Sequence, residues 1–155
     1  GDDLGMTSGP FMAPEIYRQI FKSRHKILCD YVKSHSRMHT FIHSCGSISL
    51  LIPDLIEAGI EIFNPVQTNA YRMEPEFLKK EFGKECTFWG GGIETAGTLN
   101  GNDQDKIRDQ VLERMEIFSE GGGYIFNTVH NILPDVAPQN IITMFNAVKE
   151  FNNHQ

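Results

Sequence analysis

Ile60-Glu61-Ile62-Phe63-Asn64-Pro65, residues 60–65, is the stretch whose surroundings decide the fold. A short β-rich run is closed by Asn64-Pro65. Before it lies a helical segment with Leu50, Leu51, Leu55 and Ile56 that stops at Gly59. After it, Pro75 to Phe82 reads as a helix ending at Gly83. A strand set between two helices is one unit of alternating α/β order.

The same unit recurs on both sides. Towards the N-terminus, Thr40 to His43 is a β-rich run ending at Ser44-Cys45-Gly46. It follows a helical run from Ala13 to about Ser34, with Ile16, Ile20, Phe21, Ile27, Leu28, Tyr31 and Val32 as its apolar positions. Pro14 suits the first turn of that helix. Ser47 is placed to cap the helix that follows, and Pro53 in its middle implies a kink or a late start.

Towards the C-terminus, Thr87-Phe88-Trp89 is a third strand, closed by Gly90-Gly91-Gly92. Asp103 to about Ser119 is a helix with Ile107, Val111, Leu112, Met115 and Phe118 on one face. Gly121-Gly122-Gly123 breaks it before a fourth strand, Tyr124-Ile125-Phe126, which Asn127 closes. Pro138 to Phe151 is the last helix, with Ile141, Ile142, Phe145 and Val148 expected inward. Four short strands alternating with helices imply a parallel sheet buried under helices. A small doubly wound sheet and part of a (β/α)₈ barrel both satisfy that pattern.

Composition narrows the function classes. The 155 residues are 40% hydrophobic and 22% charged, as in a globular domain, and residues 1–155 read as one domain. The net charge is -6, from 14 basic and 20 acidic residues, so there is no basic face for nucleic acid. The most basic stretch, Arg18 to Lys33, has helical spacing and reads as a solvated face. Cys29, Cys45 and Cys86 are odd in number and widely spaced, which argues against a disulfide framework and for a reducing, cytoplasmic setting. No apolar run reaches the length of a membrane span. The sequence opens Gly1-Asp2-Asp3-Leu4-Gly5, like the end of a strand, so an N-terminal half is expected to be missing.

In parallel α/β folds the active site lies at the carboxyl ends of the strands. The residues that follow each strand are therefore the candidates: Asp2 and Asp3; His43 and Cys45; Asn64 and Gln67; Gly90, Gly91, Gly92 and Glu94; Asn127 and His130. His43 and Cys45 stand two apart, so their side chains project to the same side. Imidazole and thiolate are both zinc ligands, and catalytic zinc typically takes three protein ligands with a fourth position open. His130, at the end of the last strand, is the candidate third ligand. It equally suits a substrate-binding or general-acid histidine. Spacing alone favours the plainer alternative, a buried cysteine beside a satisfied histidine. Asp2 and Asp3 are candidates for acid/base work or simply solvated carboxylates. Gly90-Gly91-Gly92 follows its strand and is expected to line the pocket, although it has no dinucleotide or Walker spacing.

Five ordered motifs carry a family resemblance. They are Gly1-Asp2-Asp3-Leu4-Gly5 with Ser8-Gly9-Pro10 and Pro14; His43-Ser44-Cys45-Gly46; Asn64-Pro65-Val66-Gln67; Phe88-Trp89-Gly90-Gly91-Gly92-Ile93-Glu94-Thr95; and Tyr124-Ile125-Phe126-Asn127 through His130-Asn131-Ile132 to Pro138. The chain resembles the C-terminal half of the uroporphyrinogen decarboxylase superfamily. His43-Ser44-Cys45 is similar to the zinc-binding segment of its cobalamin-dependent methyltransferase branch.

The resemblance implies an α/β fold, the C-terminal half of a (β/α)₈ TIM barrel with about four parallel strands and their helices. It implies zinc on His43, Cys45 and His130, and catalytic roles for His130 and Asp3. It implies substrate binding by Asn64, Gln67, Gly91, Glu94 and Asn127. The function implied is zinc-dependent methyl transfer from a methylated corrinoid, a methylcobamide, to a small-molecule thiol, with a corrinoid protein as partner. Decarboxylation of a uroporphyrinogen-type tetrapyrrole is the second reading, and a non-catalytic fragment or binding subunit the third.

Three departures bear on the branch. Methyltransferase relatives commonly have a cysteine where this chain has His130. Decarboxylases have a histidine there but lack the His-x-Cys pair. Ala96-Gly97 stands where many relatives carry a glutamine. Four strands of a barrel would leave two open edges and an inner face, near Phe41, Ile62, Trp89 and Ile125, without its opposite wall. Such a chain is expected to aggregate, pack loosely or form a homodimer, and to lack catalysis alone.

Overall fold

The computed structural model describes residues 1–153. An antiparallel hairpin of β1 (Gly5–Met6) and β2 (Gly9–Pro10) opens the chain. Then come α1 (Pro14–Ile20), α2 (Lys22–His35), β3 (Phe41–His43), α3 (Ile52–Ala58), β4 (Ile62–Asn64), α4 (Pro75–Phe82) and β5 (Thr87–Trp89). A π-helical turn at Thr95–Leu99 precedes α5 (Gln104–Ser119), β6 (Tyr124–Ile125) and α6 (Pro138–Asn153). Strands β3, β4, β5 and β6 lie side by side in chain order, every pair parallel. That is the alternating order read from the sequence.

The element boundaries follow local chemistry. Pro53 gives α3 a late start, in its first turn, and Gly59 ends it with φ 104°. Ser47 does not cap that helix, because its hydroxyl donates to the Tyr71 carbonyl at 2.5 Å. Asp103 does cap α5, accepting from the Lys106 amide at 3.2 Å. The single helix expected over residues 13–34 is divided at Phe21 into α1 and α2.

α1, α2 and α6 bury residues that their apolar spacing does not single out. In α1 and α2 the buried residues are Tyr17, His25 and Cys29, while Ile16, Ile20, Ile27, Leu28 and Tyr31 are exposed. In α6, Ile141 and Val148 pack against the core as expected, but Ile142 and Phe145 are exposed, and Asn140, Met144 and Ala147 are buried. Asn140 wins its inward place because carbonyls between the π-helical turn and α5 need a donor. Its amide donates to Leu99 O and Gly101 O, each at 2.7 Å. A buried polar group with its partners in place is tolerated, and buried carbonyls without donors are costly.

Alternation along the strands sorts the two sides of the sheet. Ile42, Phe63 and Phe88 face the helices and are buried. Phe88 meets Phe118 of α5 at 5.6 Å between ring centroids, and Phe118 stacks on Tyr124 at 5.0 Å. On the opposite side Phe41 is 45% and Ile125 40% exposed. Trp89 is half-buried and touches the Phe41 ring at 5.4 Å. The inner face is therefore where the sequence placed it.

Asp54 joins α3 to α1 and α2. It is buried in α3, and accepts from Arg18 Nε at 2.9 Å and Lys22 Nζ at 2.7 Å. Burial raises its pKa, but the bonds from Arg18 and Lys22 outweigh that and hold the carboxyl below its usual value. Its stabilising contribution is thus present above the unfolded-state pKa of about 3.9 and lost as pH falls through the lower folded value. Asp54→Ala is expected to cost about 1–2 kcal/mol at neutral pH, a low figure because Arg18 is half exposed and screened. In urea unfolding, the gap from the parent should close in acid; a gap independent of pH would contradict the assignment. The 155-residue chain should also elute larger than a monomer, since β3 and β6 stand at the sheet's margins and its inner face is bare. A soluble monomer with one sharp thermal transition would show that the arc is self-sufficient.

Candidate functional site

The chain's first residues run alongside the end of β3. The Asp2 amide donates to His43 O at 3.1 Å, and the Leu4 amide donates to Ser44 Oγ at 2.9 Å. The Cys45 amide donates to Asp3 Oδ1 at 3.0 Å. Gly5 and Gly46 make this approach sterically feasible. A Cβ on Gly46 would lie 2.4 Å from Gly5 C, and one on Gly5 2.6 Å from Cys45 O. Gly46 also holds φ 79°, a conformation that favours glycine.

His43 is held in one tautomer. Its Nδ1 lies 2.7 Å from Asn64 Oδ1, and the Asn64 Nδ2 donates to the Trp89 carbonyl at 2.9 Å. With its amide nitrogen committed to Trp89, Asn64 presents an oxygen to the ring, so Nδ1 carries the proton. His43 Nε2 is left with a lone pair, 3.7 Å from Cys45 Sγ. Gln67 braces the neighbouring turn, accepting from the Gly46 amide at 2.9 Å.

Asp3, His43 and Cys45 each offer a ligand atom, and these atoms all lie within 4.8 Å of one another. Among the described residues this is the group that could hold a metal ion. Burial, and then the Asp3 carboxylate, push the Cys45 thiol above its usual pKa. A thiol, an imidazole lone pair and a carboxylate so close together have no cation among them, which is an arrangement that attracts one.

Residues 2–151 match the family model described as Uroporphyrinogen decarboxylase (URO-D). The chain belongs to the uroporphyrinogen decarboxylase family. It is 44% identical over 48 residues to a uroporphyrinogen decarboxylase of Pseudoalteromonas translucida, which is 31% of this chain and 14% of that protein. It is 34% identical over 67 residues to one from Legionella pneumophila, 41% of this chain and 19% of that protein. Its fold is similar to that of a methyltransferase from Methanosarcina mazei, with TM-score 0.72 and 22% identity, covering 96% of this chain and 40% of the other. The matched regions therefore cover less than half of each of these proteins.

In this member of the uroporphyrinogen decarboxylase family the other strand ends do different jobs. His130 does not join the three-atom group. Its side chain is exposed, and its backbone is fixed: the amide donates to Thr95 Oγ1 at 3.1 Å, and the carbonyl accepts from Thr128 Oγ1 at 2.5 Å. Gly91 is buried with φ 75°. The Gly92 amide donates to Asn127 O at 2.8 Å, and the Glu94 amide donates to Gln110 Oε1 at 3.0 Å. Asn127 is exposed and Glu94 half-buried. Ala96-Gly97 falls within the π-helical turn, a feature frequent at functional sites.

Cys29 and Cys86 are buried away from this group, and burial pushes the Cys86 thiol up to about 12, which leaves it inert. No described helix is long and apolar enough to cross a membrane.

Gly46→Ala is expected to cost about 1–3 kcal/mol from backbone strain, plus the clash with Gly5. Gly121 shares the positive φ, at 69°, but a Cβ there meets nothing within 4 Å. Gly121→Ala should therefore cost less. Equal losses in chemical denaturation would show that the Gly5–Gly46 contact is not close-packed.

Proposed function

We propose that Asp3, His43 and Cys45 hold zinc, and that the protein to which this chain belongs transfers a methyl group from a methylated corrinoid to a small-molecule thiol. The observation that carries this reading is the three-atom group, with its histidine held in the metal-binding tautomer. The donor set suits zinc, which takes nitrogen, sulfur and oxygen ligands at about 2.0–2.3 Å. Two such ligands in a tetrahedron stand roughly 3.5 Å apart, and His43 Nε2 and Cys45 Sγ are 3.7 Å apart.

When bound, the metal would supply the positive charge that keeps a coordinated thiol ionised at neutral pH. The chain's own residues do the rest. Asn64 keeps the proton on His43 Nδ1. Asp3 fixes the Cys45 amide with one oxygen. His130, exposed at the end of the last strand-end loop, is the group proposed to meet the substrate as a hydrogen-bond donor or general acid. Gly91, Glu94 and Asn127 are the remaining groups proposed to bind the substrate. A corrinoid protein is the proposed partner and the cytoplasm the proposed setting, consistent with three free cysteines among the described residues.

Decarboxylation of a uroporphyrinogen-type tetrapyrrole is the second reading, favoured by the named activity of the curated relatives. It has no use for the His43–Cys45 pair. A non-catalytic binding subunit is the third. Metal content separates the first from the others.

Elemental analysis of the full protein is expected to find about one zinc per chain. Cys45→Ala and Asp3→Ala should lose it, and His130→Ala should keep it. Because Cys45 must give up its proton, and its pKa lies above the usual value, zinc should bind less tightly as pH falls. Zinc retained in Cys45→Ala would overturn the site. Zinc lost from His130→Ala but kept by Asp3→Ala would return the third position to the histidine.

A further inference from the structure

A second histidine lies behind the Asp3 segment, in the helix layer. His25 of α2 is buried, at 8% exposure. Its Nε2 lies 3.0 Å from Asp2 Oδ2, and its Nδ1 lies 2.9 Å from the hydroxyl of Tyr17 in α1. A carboxylate only accepts, so Nε2 carries the proton and donates it to Asp2. In the neutral ring Nδ1 then accepts, and the Tyr17 hydroxyl donates. Tyr17 is completely buried, and burial raises its pKa, so the hydroxyl remains protonated. The result is one directional chain, Tyr17 to His25 to Asp2, from the core of the helix layer to the strand end.

Asp2 is the point where this chain meets the candidate site. Its backbone amide donates to His43 O, and the next residue, Asp3, belongs to the metal group and accepts from the Cys45 amide. Residues 1–3 are exposed and carry little packing of their own. Fixing each residue's backbone costs conformational entropy. The Leu4 and Asp2 amide bonds oppose that cost from the β3 side, and the His25–Asp2 bond opposes it from the helix side.

We propose that His25, held by Tyr17, is a positioning residue that fixes the Asp2–Asp3 segment and thereby sets Asp3 beside His43 and Cys45. Its link to a metal rests on the zinc reading above; its hold on the segment does not. His25 touches no ligand atom itself and acts only through Asp2. Groups bonded directly to a ligand typically change metal affinity by about 10–100-fold when removed; His25 stands one residue further back, so its effect should lie at or below the lower end.

The test titrates the full protein with Co²⁺ alone, following the thiolate-to-cobalt absorption band. In parallel, amide hydrogen exchange is measured at Asp2, Leu4 and Cys45. His25→Phe is expected to weaken cobalt binding several-fold, up to ~10-fold, and to speed exchange at those amides. His25→Gln, which can still accept from Tyr17 and donate to Asp2, should restore both. Asp2→Ala cuts the same link at its solvent end without touching the core, so it should reproduce His25→Phe even if that variant folds poorly. Parent-like affinity and exchange in both His25→Phe and Asp2→Ala would overturn the proposal. If the parent chain binds no cobalt, the metal reading fails, and exchange alone decides: faster exchange restored by His25→Gln upholds the positioning role, and unchanged exchange removes it.

Discussion

His43 stands opposite Asn64 in the parallel ladder of β3 and β4, and the candidate site depends on that register. The two strands pair over only three positions, Phe41 with Ile62, Ile42 with Phe63 and His43 with Asn64. Shifting the pairing by one residue would move every side chain to the other face of the sheet. Ile42 and Phe63 resist such a slip, because both are buried against the helices. The helix-facing side of the sheet thus determines which imidazole nitrogen is free on the inner side. Asn64 extends the constraint one strand further through the Trp89 carbonyl. Three adjacent strands therefore hold a single tautomer.

The electrostatics of the strand end point the same way. Asp3 is bonded to the Cys45 amide, yet its charge disfavours the Cys45 thiolate. Without a cation the arrangement leaves the thiol protonated and the carboxylate partly compensated by one amide. A divalent ion would reverse the balance, because it favours the ionised form of each ligand. The two glycines that let backbone touch backbone, Gly5 and Gly46, place opposing segments close enough for this to occur. Their role is spatial, and that of His25 and Tyr17 is orientational.

Much of the fold was legible in the sequence because its signals are local. Pro75 and Gly83 bracket α4, Asp103 caps α5, and Gly59 ends α3. The four parallel strands lie where short β-rich runs end in Asn, Gly or Ser-Cys. The inward faces of α2 and α6 were not legible, because each buries polar groups whose partners lie far away in sequence. His25 goes inward to meet Tyr17 and Asp2, and Asn140 goes inward to meet Leu99 and Gly101. Counting apolar residues on a helix cannot find such pairs. The site was legible in part for the same reason. His43 and Cys45 stand two residues apart and announce themselves. Asp3 reaches them across about forty positions of sequence, through a backbone contact with no sequence signature beyond two glycines. His130 follows the last strand in the linear reading, and it stands outside the three-atom group.

On the zinc reading, this strand end is a metal centre built from Asp3, His43 and Cys45. Anomalous X-ray scattering at the zinc absorption edge, on crystals of the zinc-loaded protein, tests it most directly. The account predicts one strong anomalous peak in contact with a carboxylate oxygen of Asp3, Nε2 of His43 and Sγ of Cys45. A peak at His130 without Asp3, or no peak at this strand end, would contradict it.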